Sequence, residues 1–262
     1  MCVAATSMCA NGSIDPTTED CDPALATPPT ADVCDGTESL TNPTSCTATG
    51  TTVTIDLSQM VINGDCNSGY DLDSCDGNSC VLGGLAPGEG VDAVDNALAG
   101  LAPVLVGVGG NLSGVNNAFY QGLCSGDIAI GLRIDANAEE NCATVEILDA
   151  GTAGNPILMN LSSTGCLSGT IGTIPLNVAG IPGSMGNAVL RATLSAGGLS
   201  NGQLGATVDA ATAGSIADQL IDGGSAVVAQ VLDINEDLSG DTSAGCNALS
   251  MTLVVGGVTQ LQ

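Results

Sequence analysis

Apolar and polar positions alternate with a period of two through Thr52-Val53-Thr54-Ile55-Asp56-Leu57 and on through Met60-Val61-Ile62. That is the pattern of a strand with one buried face. The same alternation returns over 128–134. Shorter apolar runs at 145–148, 157–161, 169–178, 188–194 and 203–208 are set apart by Gly, Asn and Pro turns, and 249–255 reads as a closing strand. Helical spacing interrupts this series at 91–106, 115–123, 211–221 and 225–232, the last two parted at Gly223-Gly224. Pro103 kinks or ends the first of these helices. The order predicts an α+β fold: a mainly antiparallel curved sheet or sandwich with two pairs of helices. The first and last strands are expected to be neighbours. No fixed-period repeat is present.

Residues 1–50 break the pattern. They are rich in Thr, Pro, Asp and Cys and have no apolar period. Such a segment buries too little to fold alone, so disulfides or docking must hold it. The chain divides into a cysteine-rich, disulfide-rich N-terminal arm, 1–50, and a single strand-rich α+β domain, 51–262. Twelve cysteines, with no His and no C-x-x-C pair, point to disulfides rather than zinc and to an oxidising compartment. Eight precede Cys124 (Cys2, Cys9, Cys21, Cys34, Cys46, Cys66, Cys75 and Cys80). The other four are Cys124, Cys142, Cys166 and Cys246. Both groups are even, so each can close within itself, although spacing does not fix the pairing. Met1-Cys2 opens without a charged or apolar leader, so the expectation is either that Met1 is not the natural start or that an upstream leader has been removed.

Charge narrows the partners. There are 28 acidic residues against Arg133 and Arg191, a net charge of −26. Nothing is available to neutralise phosphates or an anionic membrane surface. Self-repulsion on this scale calls for divalent cations, high salt or a cationic partner. Asp outnumbers Glu 21 to 7, which favours calcium loops over surface acidity of the halophilic kind. Each arginine lies in an alternating strand and is expected to meet a carboxylate. No apolar run reaches transmembrane length. Phe119, Tyr70 and Tyr120 are the only aromatics, so the core must be aliphatic and a large aromatic-lined pocket is not expected.

Two acidic loops are the candidate metal sites. The first contains Asp71, Asp73 and Asp76, followed by Asp92 and by Asp95-Asn96. The second contains Asp233, Asn235, Asp237 and Asp241. Alternate Asp residues in a turn can aim oxygens at one centre, and calcium takes six to eight of them. The second loop departs from an EF-hand: Leu238 stands at the usual Gly position and Ala244 at the bidentate Glu. The plainer alternative is that these residues cap helices and form turns.

Two resemblances follow from quoted residues. Cys9-Ala10-Asn11-Gly12-Ser13-Ile14-Asp15-Pro16 leading to Glu19-Asp20-Cys21-Asp22 resembles the myxococcus cysteine-rich repeat. Tyr70-Asp71-Leu72-Asp73 with Val94-Asp95-Asn96-Ala97-Leu98 resembles the opening of a group of uncharacterised exported proteins from myxobacteria and related bacteria. Asp233 to Asp241 with Asn247-Ala248-Leu249-Ser250 resembles their closing segment. The resemblance implies export from a bacterium and a calcium-like loop at each end of the folded part. It implies no activity.

Catalytic sets are missing from the sequence. Without His there is no Ser-His triad or Cys-His dyad, and without Lys no Schiff base. No nucleophile elbow, phosphate loop or dinucleotide fingerprint occurs. The most visible carboxylate pair, Glu139-Glu140, reads as a solvated turn. The expectation is therefore no enzyme. It is a secreted, calcium-stabilised structural protein, extracellular or at the cell surface, that self-associates as a homo-oligomer or filament. The alternative is an extracellular binding module for calcium or a small apolar ligand.

Overall fold

The computed structural model describes Cys34 and residues 38–64, 69–70, 96, 98–99, 112–149, 151–178, 181–220, 223–226, 228 and 248–259. In chain order its elements are β1 (Thr52–Ile62), α1 (Leu112–Ser125), β2 (Ile130–Asn137), β3 (Cys142–Asp149) and β4 (Thr152–Ala153). Then come β5 (Ile157–Leu161), β6 (Cys166–Val178), β7 (Ile181–Ser195), β8 (Gly198–Asp209), α2 (Ala210–Leu220) and β9 (Ala248–Thr259). Every strand that the alternation predicts is present. The helices predicted at 115–123 and 211–221 are α1 and α2. Leu98, Ala99 and residues 224–226 and 228 are helical. The rest of the helices predicted at 91–106 and 225–232 lies outside the described residues.

All pairings are antiparallel, and the sheet order is β2-β1-β9-β8-β7-β6-β5-β3-β4. β2 also pairs with β3 along its full length, and this contact closes the sheet. The result is an eight-stranded barrel in which chain neighbours are spatial neighbours, with β4 a short ribbon against the end of β3. The expected curved sheet is thus a barrel rather than a sandwich. Following the register once round returns to β1 about ten residues further along, the stagger that tilted strands require for closure.

Alternation decides the facing. Ile55, Met60, Ile134, Val145, Met159, Leu167, Met185, Leu249, Leu253 and Val255 point inward and are fully buried. They join one aliphatic cluster. Thr54, Arg133, Thr144, Glu146, Asn160, Thr170, Arg191 and Gln203 alternate with inward residues and point outward. This facing is the reverse of a membrane-spanning barrel, whose outer band is apolar. Among the described residues no helix is long and apolar enough to cross a membrane.

The barrel is tight at one end and splayed at the other. β1 pairs with β2 only over Thr52–Asp56, then changes partner to β9 around a bulge between Leu57 and Gln59. On the opposite side β5 meets β6 only at Asn160↔Ser168 and Leu161↔Leu167, while β6 runs on beside β7 to Val178. α1 touches both β1 and β6. A helix that meets two strands on opposite sides of a barrel must lie across its mouth. It fills the splayed end with Phe119 and Leu123, and its buried Asn116 Oδ1 accepts from the Ile62 N–H at 2.8 Å. The long strands bend through bulges in β6, β7 and β8. Asn187 and Asn201 adopt positive φ there, which Asn tolerates better than most residues.

Candidate functional site

All nine predicted metal ligands (Asp71, Asp73, Asp76, Asp92, Asp95, Asp233, Asn235, Asp237 and Asp241) lie outside the described residues. Tyr70 and Asn96, on either side of the first acidic segment, are described. Tyr70 is buried against the outer face of β8, and its hydroxyl donates to the Gln203 carbonyl at 2.7 Å. Its ring occupies the space that a side chain at position 205 needs, so Gly205 is required beneath it. Burial raises the Tyr70 hydroxyl above its ordinary range, against a smaller opposing effect of Arg191, so the donor stays protonated. Asn96 is completely buried. Its Oδ1 accepts from the Thr252 N–H at 3.0 Å, and its Nδ2 donates to the Asn63 carbonyl at 3.1 Å. Gly205 and Thr252 are register partners across β8 and β9. The chain therefore enters and leaves the first acidic segment on adjacent residues of one ladder. It leaves the second at Ala248, the first residue of β9. Asn96 adjoins the predicted ligand Asp95 in the sequence, and its amide completes the ladder where β1 parts from β9.

Residues 38–50 lie as a strap across the outside of the barrel. Glu38 approaches Arg191 on β7, with Oε2 3.6 Å from Nε and the Glu38 carbonyl accepting from Nη2 at 3.0 Å. Arg191 also stacks over the Tyr70 ring, 5.0 Å from its centroid. Further on, Asn160 on β5 donates to the carbonyls of Ser39 and Thr41, and Ser168 Oγ donates to the Ser39 carbonyl. Asn42 then uses both ends of its carboxamide on Thr170, each bond at 2.8 Å. Past Cys46, Thr47 N–H donates to Glu140 Oε2 at 2.8 Å, and Thr49 and Gly50 converge on Asp135.

Two carboxylates are tuned by this dock. The Thr49 hydroxyl, and after it the Gly50 and Thr49 amides, hold Asp135 below its ordinary range, against an opposing effect of burial. Thr47 does the same for Glu140. Glu139 and Glu140 are exposed in the β2–β3 turn, as expected, but Glu140 is engaged with the strap. Arg133 pairs with Glu146, its register partner on β3. Both arginines therefore meet carboxylates.

Two disulfides fix the strap: Cys34–Cys166 to the start of β6 and Cys46–Cys142 to the start of β3, with Cα separations of 5.3 and 5.9 Å. Both join the first group of cysteines to the second, so the closure within groups that even counts allow does not hold for these pairs. The reason is spatial: the strap crosses β5, and its ends meet the strands on either side. Cys124 has no disulfide partner among the described residues. A glutamate stands by each bridge. The Glu38 carboxylate and the sulfurs of Cys34 and Cys166 lie within 4.8 Å of one another, as do Glu140 and the sulfurs of Cys46 and Cys142. With the sulfurs bonded to each other, these groups are disulfides and not thiolate metal sites. No family model, curated protein or solved structure matches the chain.

Proposed function

We propose that this is a secreted, calcium-stabilised structural protein of a bacterial exterior that self-associates through one side of its barrel. Segregation of charge carries this reading. Between Asp149 and Asp209 the sequence has no carboxylate at all, and this stretch spans β4 to β8. Strands β4 to β8 bring no carboxylate of their own to a contact between two chains of net charge −26, and the Glu38 that the strap lays there is paired with Arg191. The described residues next to the acidic segments sit on the β8–β9 ladder: Tyr70 on β8, and Asn96 and Ala248 on β9. Both return to neighbouring residues of β8 and β9, so ions bound there would tie them to one ladder. The two disulfides suit an oxidising compartment. The barrel interior is occupied by its own aliphatic side chains, which favours a scaffold over a container for an apolar ligand.

The edge of β6 that β5 leaves unpaired argues about the mode of assembly. Pro175 there lacks an N–H, and two register shifts roughen the strand. Edges of this kind resist strand addition, so association uses the face and not the edge. Sizing and negative-stain microscopy with calcium and with chelator test the proposal. Oligomers or filaments are expected with calcium, and Thr173→Asp with Ser200→Asp, both on exposed positions of that side, disperses them. A monodisperse monomer in every condition overturns the reading.

A further inference from the structure

The two locks on the strap differ in exposure. Cys34 and Cys166 are 6% and 1% exposed, and Cys142 is 2% exposed, but Cys46 is only half-buried. A thiolate attacking a disulfide needs access to one of its sulfurs. Cys46 is the most exposed residue of the two bridges, whereas Cys34 and Cys166 are both buried. Glu140 stands at the first lock with Oε2 3.9 Å from Cys142 Sγ, held in place by the Thr47 amide. Attack at Cys46 expels Cys142 as a thiolate, and a carboxylate at that distance opposes the charge that develops.

We propose that the strap is a redox latch with two unequal locks, in which Cys46–Cys142 opens first, restrained by Glu140, and Cys34–Cys166 opens only afterwards. The co-reactant is a small thiol. Its thiolate bonds to Cys46 Sγ, the Cys46–Cys142 bond breaks, and Cys142 leaves with the electron pair and takes up a proton. A second thiol attacks the mixed disulfide and releases Cys46. Two thiols are oxidised to one disulfide as one protein disulfide is reduced to two thiols. The first opening frees the part of the strap that leads to β1, where Thr47, Thr49 and Gly50 dock. Residues 38–42 stay fixed by Cys34, Glu38 and Asn42.

The folded chain is treated with glutathione at neutral pH, quenched with iodoacetamide over time, and its labelled cysteines are located by peptide mass spectrometry. Cys46 and Cys142 are expected to label several-fold faster than Cys34 and Cys166. Glu140→Gln, whose amide oxygen still accepts from Thr47, speeds labelling of Cys46 and Cys142 several-fold and leaves the other pair unchanged. Simultaneous opening, the reverse order or an unaltered rate in Glu140→Gln overturns the proposal. Amide exchange on the Cys46→Ser, Cys142→Ser double variant is a second check. Faster exchange confined to Thr47, Thr49 and Gly50, with Thr170 still protected, supports the latch; exchange spread over the whole barrel, or none gained, overturns it.

Discussion

At Thr170 the backbone N–H and C=O of β6 are met by a side chain, the carboxamide of Asn42, where β5 no longer pairs. Asn96 does the same between Asn63 and Thr252, and Asn116 caps Ile62. An amide carries one donor end and one acceptor end, so it can stand in for a missing piece of strand. Asn42→Ala is expected to lower stability by about 1–2 kcal/mol in urea unfolding, since two partly exposed hydrogen bonds are lost. Asn96→Leu should cost more, because it strands the Thr252 N–H in a buried position. Asp209 caps α2: its carboxylate accepts from the Thr212 N–H at 2.9 Å and from the Thr212 hydroxyl, which holds it below its ordinary range. Asp209→Ala is expected to cost about 1 kcal/mol by the same measurement. The cap was legible as an Asp just ahead of the helix predicted from 211. The asparagine roles were not, because each depends on where two strands remote in sequence separate. Asp135, Glu140 and Asp209 all have lowered folded values, so their contributions are complete above the ordinary carboxylate range and fade as pH falls below about 4. Protection of the Thr49 and Gly50 amides, taken against their intrinsic exchange rates at each pH, should therefore fall on acidification, and Asp135→Asn should remove much of that dependence.

Among the elements, the strands were the most legible, because period-two alternation is a direct consequence of one buried face. Their ends were less so: β7 and β8 begin well before the apolar runs that announced them, at Ile181 and Gly198. Small and polar residues there are carried into the ladder by pairing with neighbours, which no local pattern encodes. α1 was visible as a helix, but its place across the splayed mouth follows from β1 and β5 each losing a partner. Phe119 is 4% exposed in that plug. Phe119→Ala is expected to lower stability by about 3–5 kcal/mol in thermal or urea unfolding, since it empties the end of the core. A loss under about 1 kcal/mol would show that α1 lies against the barrel without closing it.

For the molecule as a whole, charge and covalent closure set the conditions of stability. Ten of the 28 carboxylates belong to described residues, and the other eighteen fall in sequence within 1–37, 65–95 and 222–241. Calcium is expected to raise the melting temperature by several degrees over chelator, with magnesium less effective, and an unchanged melt would remove the ion from the account. Cys34–Cys166 closes a sequence separation of 132. The Cys34→Ser, Cys166→Ser double variant is expected to lose about 2–5 kcal/mol. Sequence by itself determined the strand-rich composition, the aliphatic core, the disulfide chemistry, the ion pairs of the two arginines and the segregation of carboxylates. Each of these depends on residue type and local period. Only the tertiary structure decided that the sheet closes, that the strap staples β3 to β6 across β5, and which cysteines pair. Those depend on register between segments about a hundred residues apart, where a shift of one position turns every side chain to the other face.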